Sequence, residues 1–271
     1  CWLLSTTVST ILCPVTTSLL QWLKTMRIIS LVPSLTEYLW ALGLEQEVVG
    51  ITKFCIHPKA WWQHKTRVGG TKKVNFKTIE TLQPTLIIAN KEENTKEDIE
   101  QLQLKYNVLV TDIISLDDAY RFLLEIGKTV DREEKSLKLV SQIQQNFKCS
   151  SQIGLGASFL YFIWKDPYYV VGPQTYIHTL LTHFGFENFC SIDRYPELQE
   201  VLSKKDEIQD HPDTIFLSSE PFPFEAKHIE EVQLLFPYSK IMLIDGEICS
   251  WYGSRMLKAP SYFKDVLRGS F

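Results

Sequence analysis

The chain has 271 residues, of which 45% are hydrophobic and 22% are charged, and its formal net charge is -4. These proportions fit one or two folded globular domains, and the acidic balance argues against a nucleic-acid-binding protein, which would ordinarily be basic. The six cysteines form no Cys-x-x-Cys pair, so neither a zinc site nor a disulfide framework is expected.

Residues 1–25 are apolar and rich in Ser and Thr, and Lys24 is their only charged residue. A secretory signal would carry a basic region and a cleavage site with small residues, and neither is clear here. We interpret 1–25 as an upstream extension or a degraded leader, and a lipid-modified Cys1 is the alternative. Met26 directly precedes the first strand, so the protein would be cytoplasmic if it started there. The sequence therefore leaves the localisation unknown.

Short apolar runs alternate with helical patterns over 26–114, which predicts an N-terminal α/β lobe with a parallel sheet. Ser34 or Thr36 is expected to cap the first helix, and Asn75 a later one. Ligands of such sheets bind beyond the carboxyl ends of the strands. The loops predicted there are 33–37, 54–57, 69–71 and 90–94.

Apolar residues recur at helical spacing over 115–148, with no proline between them. Ser115 and Asp118 have the spacing of a capping box, and the single glycine, Gly127, is tolerable in a helix. The pattern predicts one linker helix of roughly 50 Å, which would join two lobes rigidly. A coiled-coil segment is the alternative that this spacing leaves.

Residues 149–271 repeat the alternation and predict a C-terminal α/β lobe. The helix-Pro-strand run at 79–88 has a counterpart at 208–217, and each strand exits into a loop that bears a carboxylate. Aromatic residues in loops have no core to fill, which favours a binding surface. The predicted fold is therefore α/β, with two Rossmann-like lobes of parallel sheet that face each other across a cleft.

Enzymatic motifs are missing from the sequence. It contains no glycine-rich phosphate loop and no nucleophile elbow. Of the six histidines only His57 falls in a predicted cleft loop, so a bare-metal site is not expected. We therefore predict a non-enzymatic protein without a resident cofactor.

The opening run RIISLVPSLTEYLWALG, the Gly-Gly-Thr region before Asn75 and the run LQPTLIIAN resemble the class III, helical-backbone periplasmic solute-binding proteins of ABC importers. The resemblance covers 26–271 and is strongest to the cobalamin-binding-like branch. It implies a monomeric, periplasmic or extracytoplasmic receptor for ABC-type uptake. Its ligand would be a corrinoid or another chelated metal, such as a ferric siderophore or heme.

Aromatic side chains from both lobes enclose the corrin in the cobalamin receptors. Carried over by position, Phe54 matches a contact in the first lobe, whereas Thr71 stands where that branch has a tryptophan. Tyr168 and Tyr195 match contacts in the second lobe, and the loop 251–252 forms the remaining wall. The loops and the resemblance together give these expected ligand-binding residues: Ser34, Glu37, Phe54, His57, Thr71, Asn90, Glu92, Trp164, Tyr168, Tyr195, Glu220, Trp251, Tyr252 and Arg255.

Transporter-coupled members of this class present one glutamate on each lobe to arginine pockets of the permease. Lys77 and Lys205 stand at those positions, and lysines would repel arginines. A shift of one turn would bring Glu80 or Glu207 there instead, so the sequence leaves an ABC permease open as a partner. The alternative function is a cytosolic enzyme or metallochaperone for corrins or tetrapyrroles, built on the same scaffold without a permease.

Overall fold

The structure is a computed structural model that describes residues 26–150, 152–204 and 211–268. The interpretation of 1–25 and the expectation for Lys205 lie outside the described residues and stay predictions. None of the helices in the described ranges combines the length and apolarity that a membrane span requires.

The first lobe is built on a fully parallel sheet with the strand order β3-β2-β1-β4-β5. Its strands are short, and all but the edge strand β3 are largely apolar because helices cover both faces of the sheet. In chain order the strands are β1 (Ile28–Ser30), β2 (Val48–Ile51), β3 (Thr66–Arg67), β4 (Leu86–Asn90) and β5 (Val108–Thr111). The helices between them are α1 (Pro33–Ala41), α2 (Lys59–His64), α3 (Phe76–Leu82) and α4 (Lys96–Gln103).

Side-chain caps were predicted for two helices in this lobe, and the prediction for the first helix is wrong. Asn75 accepts a hydrogen bond from the Thr78 amide at 3.1 Å and caps α3, as predicted. Helix α1 instead begins with Pro33, whose fixed φ suits the first helical position. Val32 stands at the N-cap without a side-chain hydrogen bond, and Ser34 and Thr36 both lie inside the helix, so neither of them caps it.

The single helix predicted over 115–148 is wrong, since the structure contains two helices, α5 (Leu116–Thr129) and α6 (Glu133–Lys148). The chain breaks at 130–132, where Asp131 has a φ of 56°. The two helices pack so closely that a methyl group on Gly127 would lie 2.2 Å from Cβ of Ser136. This glycine therefore serves a helix contact, which periodicity along one helix cannot reveal.

Helix α6 is the element that connects the two lobes. Near its start, Ser136 Oγ accepts a hydrogen bond of 2.7 Å from the Tyr38 hydroxyl of the first lobe. Near its end, the Phe147 ring packs 5.3 Å from that of Phe184 in the second lobe. Its 16 residues correspond to about 24 Å, half of the predicted length.

The second lobe contains a sheet with the strand order β10-β9-β6-β7, in which β8 also pairs with β6. All of these pairs are parallel except β6 with β7, which is antiparallel. The strands are β6 (Ser158–Trp164), β7 (Tyr169–Val170), β8 (Glu187–Asn188), β9 (Thr214–Ser218) and β10 (Lys240–Ile244). The helices are α7 (Tyr176–His183), α8 (Leu198–Leu202), α9 (Ala226–Leu235), α10 (Gly246–Ser250) and α11 (Ala259–Arg268), with a 3-10 turn at Ser254–Leu257.

The two lobes share one hydrophobic core. A continuous cluster of buried side chains joins Leu39 of the first lobe, Ile143 of α6 and Phe184 of the second lobe. The 3-10 turn after α10 packs against both α1 and α6. This shared packing confirms the predicted two-lobed α/β fold and limits how far the lobes can separate.

Candidate functional site

A cavity of about 590 Å³ lies between the two lobes, where the carboxyl ends of β2, β4, β6, β9 and β10 meet. Its volume is within the range of about 300–1,000 Å³ that is typical of small-molecule sites. Eight of the expected residues line it: Phe54, Thr71, Asn90, Glu92, Tyr195, Glu220, Trp251 and Tyr252. A second, more open hollow beside 131–138 is lined almost entirely by charged residues of the segment that joins the two linker helices.

The polar wall of the first lobe is shaped by Asn90, the last residue of β4. Its side-chain oxygen accepts hydrogen bonds from the amides of Glu92 at 2.8 Å and Glu93 at 3.2 Å. Its side-chain nitrogen donates to the carbonyl and hydroxyl oxygens of Thr111. The hydrogen bonds of the Asn90 side chain thus stabilise the loop. The loop in turn places the carboxylates of Glu92 and Glu93 at the cavity.

The apolar wall of the first lobe follows β2. Phe54 is 49% exposed and Ile56 is 45% exposed, and both line the cavity. The ammonium of Lys53 lies 4.9 Å from the Phe54 ring centre, so a cation already covers part of that ring. Large apolar side chains left this open at a cavity mouth are suited to contact a ligand.

The wall of the second lobe centres on Glu220, two residues beyond β9. Its Oε1 accepts hydrogen bonds from the Ser250 hydroxyl at 2.7 Å and from Trp251 Nε1 at 2.8 Å. Burial raises the pKa of Glu220, and the charges of Glu247 and Glu93 raise it further. Glu93 of the first lobe and Glu220 of the second lobe thus line the same cavity.

Glu92 also connects the two lobes at the cavity. Its carboxylate forms an ion pair of 2.7 Å with Arg194 and accepts a hydrogen bond of 3.4 Å from the Tyr195 hydroxyl. Burial raises the pKa of Tyr195, and the charge of Glu92 adds to this effect. The ring of Tyr195 is held by this contact beside the cavity rather than left free.

A buried ionic network beside the cavity accounts for three more of the expected residues. Arg255 donates to Glu37 at 2.8 Å and to Glu247 at 2.7 Å, and Glu247 also contacts His57 at 3.1 Å. The Arg255 guanidinium lies 4.6 Å from the Trp251 ring centre, which leaves that tryptophan only 8% exposed. The structure therefore places Glu37, His57 and Arg255 behind the wall, where they join the lobes and position Trp251.

Ser34 and Tyr252 are both buried, and Ser34 is close enough to lower the pKa of Tyr252 against the larger effect of burial. Tyr252 also contacts Thr111 of the first lobe, and burial raises the pKa of the tyrosine well above its usual value. Ser34 is therefore a lobe-junction residue, whereas Tyr252 shows one side of its ring to the cavity.

The structure does not bring Trp164 and Tyr168 to the cavity. The chain turns back after β6 into the antiparallel strand β7, and both rings pack against other aromatic side chains of the second lobe. There Trp164 packs 5.9 Å from the Phe222 ring, and Tyr168 packs 5.3 Å from the Phe162 ring. Trp164 is the last residue of β6 and Tyr168 lies in the turn that follows, and the direction of this turn is not visible in the sequence.

Several lining residues were not among the expected ones: Pro33, Ile56, Lys72, Glu93, Ile163, Tyr176, Ile177, Pro221, Glu247 and Ser250. Glu247 lies three residues beyond β10, so the rule of strand carboxyl ends would have found it. Tyr176 and Ile177 lie on the first turn of α7, where the helical pattern indicates only packing. No group of three or more metal-binding side chains occurs among the described residues.

Comparisons with known proteins agree with this geometry. The sequence model of the family described as "Periplasmic binding protein" matches residues 28–233. The uncharacterized ABC transporter substrate-binding lipoprotein YvrC of Bacillus subtilis is 30% identical over 173 residues, which are 60% of this chain and 54% of that protein. The chain thus spans about half the length of that relative. A vitamin B12-binding protein of Pectobacterium carotovorum is 25% identical over 240 residues, which are 86% of this chain and 85% of that protein.

Solved structures show the same fold at lower identity. The periplasmic heme-binding protein HutB of Vibrio cholerae matches with a TM-score of 0.75 at 21% identity, over 90% of this chain and 99% of that one. The periplasmic vitamin B12-binding protein BtuF of Vibrio cholerae matches with a TM-score of 0.70 at 21% identity, over 90% and 97%. The chain therefore belongs to the periplasmic binding protein family, a family of solute-binding transport proteins rather than enzymes.

Proposed function

We propose that this solute-binding protein takes a corrinoid, or another chelated metal such as heme or a ferric siderophore, in the cavity between its lobes for ABC-type uptake. The observation that carries the proposal is the composition of the cavity walls. Both lobes contribute aromatic or aliphatic surface, and both contribute carboxylates at fixed positions. The vitamin B12-binding relative, which aligns over most of its own length, supports the corrinoid as the first candidate.

Apolar burial supplies most of the affinity in this proposal. Phe54 and Ile56 stand half exposed in the unliganded cavity, so a ring system laid against them would remove apolar surface from water. Each 100 Å² removed contributes about 2.5 kcal/mol before the costs of ordering. Trp251 and Tyr195 are held in place by polar contacts, so a ligand would meet them without first having to order them.

The permease partner and the extracytoplasmic location are part of the same proposal. Both follow from the family, whose relatives are substrate-binding proteins of ABC transporters. Lys77 is exposed on α3 and available for contact, whereas Glu80 on the same helix is paired with Lys105 at 3.5 Å. We propose that docking on this lobe uses a cation, so its permease would present acidic rather than basic residues.

Thermal-shift and absorbance titrations of the purified protein test the ligand. The probes are cyanocobalamin, hemin, a ferric hydroxamate siderophore and a zinc salt, because a compound that binds only the folded state raises the melting temperature. We expect the largest rise with cyanocobalamin. A protein whose melting temperature is unchanged by all four would refute the proposal.

A matched pair of variants tests the location. Phe54→Ala removes an open aromatic ring from the cavity, and we expect it to weaken cyanocobalamin binding by about tenfold, equivalent to about 1.4 kcal/mol. Trp40→Ala is the control, since Trp40 is equally exposed on α1 but does not line the cavity. Equal affinity of the Phe54 variant and the wild type would move the site elsewhere.

A further inference from the structure

The carboxylates of the cavity differ in how far their bonding capacity is used. Glu92 forms an ion pair with Arg194, although its buried Oε1 accepts no hydrogen bond of good geometry. Glu220 accepts hydrogen bonds from Ser250 and Trp251, and Glu247 pairs with Arg255 and His57. The side chain of Glu93 accepts no hydrogen bond from any described residue, although it is largely buried at the cavity wall. An ionised carboxylate can only accept hydrogen bonds, and Glu93 has its full capacity left.

Positive charge is scarce around this group. Lys72 is the one cation that lines the cavity among the described residues. Its ammonium contacts the backbone carbonyl of Glu92, and its charge lowers the pKa of Glu93 against the larger effect of burial. Glu93 of the first lobe and Glu220 of the second lobe line the same cavity. Burial raises the pKa of Glu220, and the charges of Glu247 and Glu93 add to this rise. The two lobes therefore present an excess of negative charge to whatever lies between them.

We infer that Glu93, facing Glu220, is a specificity-determining residue that favours ligands with hydrogen-bond donors on their periphery and disfavours ligands with carboxylates. This inference rests on the proposed function and deepens it. Burial of a neutral amide or a cation beside Glu93 gives the carboxylate the partner that it lacks. Burial of a second carboxylate there places like charges together in a poorly screened site.

This preference for hydrogen-bond donors distinguishes between members of the proposed ligand class. A corrin carries carboxamides around its ring, so it can donate to both glutamates. A heme carries two propionate groups, which meet these glutamates unfavourably unless they point out of the cavity. The same reasoning separates two forms of one corrinoid, namely the amide and the acid that forms when a single carboxamide is hydrolysed.

Isothermal titration with cyanocobalamin and its monocarboxylic acid derivative tests the inference, because the two probes differ in one peripheral group only. We expect wild-type protein at pH 7.5 to bind the amide form about tenfold more tightly than the acid form. Glu93→Gln should reduce this ratio to about threefold or less, since its amide no longer repels the acid. Glu97→Gln, an exposed carboxylate on the next helix, should leave the ratio unchanged.

The outcomes separate the two proposals. Equal affinity of the wild type for amide and acid would overturn the inference and leave the receptor function intact, as would a ratio that Glu93→Gln does not alter. Failure of the wild type to bind either compound would overturn the corrinoid proposal and the inference together. Circular dichroism of both variants verifies that any altered ratio belongs to folded protein.

Discussion

Removal of Arg255 is the sharpest test of how the two lobes are held together. This side chain is only 8% exposed and makes charge-assisted hydrogen bonds to Glu37 at 2.8 Å and to Glu247 at 2.7 Å. Its guanidinium also stacks over Trp251. Substitution by Met keeps much of the apolar volume but leaves two buried carboxylates without their cation.

The magnitude follows from that burial. Loss of one partner from a buried ion pair costs about 3–5 kcal/mol, chiefly because an uncompensated charge stays behind. Glu37 is 13% exposed, so water cannot replace the guanidinium without a rearrangement of α1. For a chain of this size each kcal/mol lowers the melting temperature by about 2–4 °C, and we expect a drop of roughly 6–20 °C.

Arg194→Met is the matched control, because Arg194 also pairs with a glutamate of the opposite lobe. That pair is 49% exposed on the arginine side, and such pairs contribute less than about 1 kcal/mol. Urea unfolding followed by circular dichroism measures both variants. A loss below about 1 kcal/mol for Arg255→Met, equal to that of the control, would refute the argument that this network is buried and structural.

Three further predictions concern the linker and the cavity. Gly127→Ala should destabilise the protein by about 1–3 kcal/mol in urea unfolding, because the added methyl would overlap Ser136; a gain of about 1 kcal/mol would instead indicate the unbroken helix. Asp131→Gly should stabilise by up to about 1 kcal/mol, since the residue has a φ of 56°, and unchanged or lower stability would contradict that backbone. Burial raises the pKa of Glu93 in the folded protein. The contribution of Glu93 to stability is therefore fully present below its pKa in the unfolded chain, and it is lost as the pH rises through its pKa in the folded protein. Glu93→Gln should therefore raise the melting temperature at pH 7.5 but not at pH 4, and a constant difference would count against this assignment.

The sequence was sufficient to predict the lobes because each strand and each helix has a hydrophobic pattern that can be recognised within its own segment. Alternating apolar runs and helical patterns indicate parallel sheets, and the carboxyl ends of such strands meet at one edge. This rule alone predicts that Phe54, Glu92 and Glu220 lie in cleft loops, and all three line the cavity. It needs only the order of the elements along the chain.

What could not be predicted depends on contacts between distant segments. Glu37 and Arg255 are 218 positions apart, and nothing in either local pattern indicates that they pair. In the sequence, the charged residues at 131–134 are compatible with the solvent-exposed surface of one continuous helix. In the structure they belong to the break between two helices, the second of which packs on Gly127. Trp164 likewise ends its strand, but the antiparallel turn that follows is not indicated by the sequence, and the ring packs against Phe222.

The unequal strength of the contacts between the lobes determines how the cavity can open. On one side Arg255 is buried between Glu37 and Glu247, and the shared core continues beneath it. On the other side the pair of Arg194 with Glu92 is exposed to solvent and is therefore weak. A small rocking motion that separates the weak pair costs far less than one that separates the buried network. The lobes should accordingly pivot about the Arg255 side and admit a ligand past Arg194, which is where Glu92 and Glu93 would meet it first.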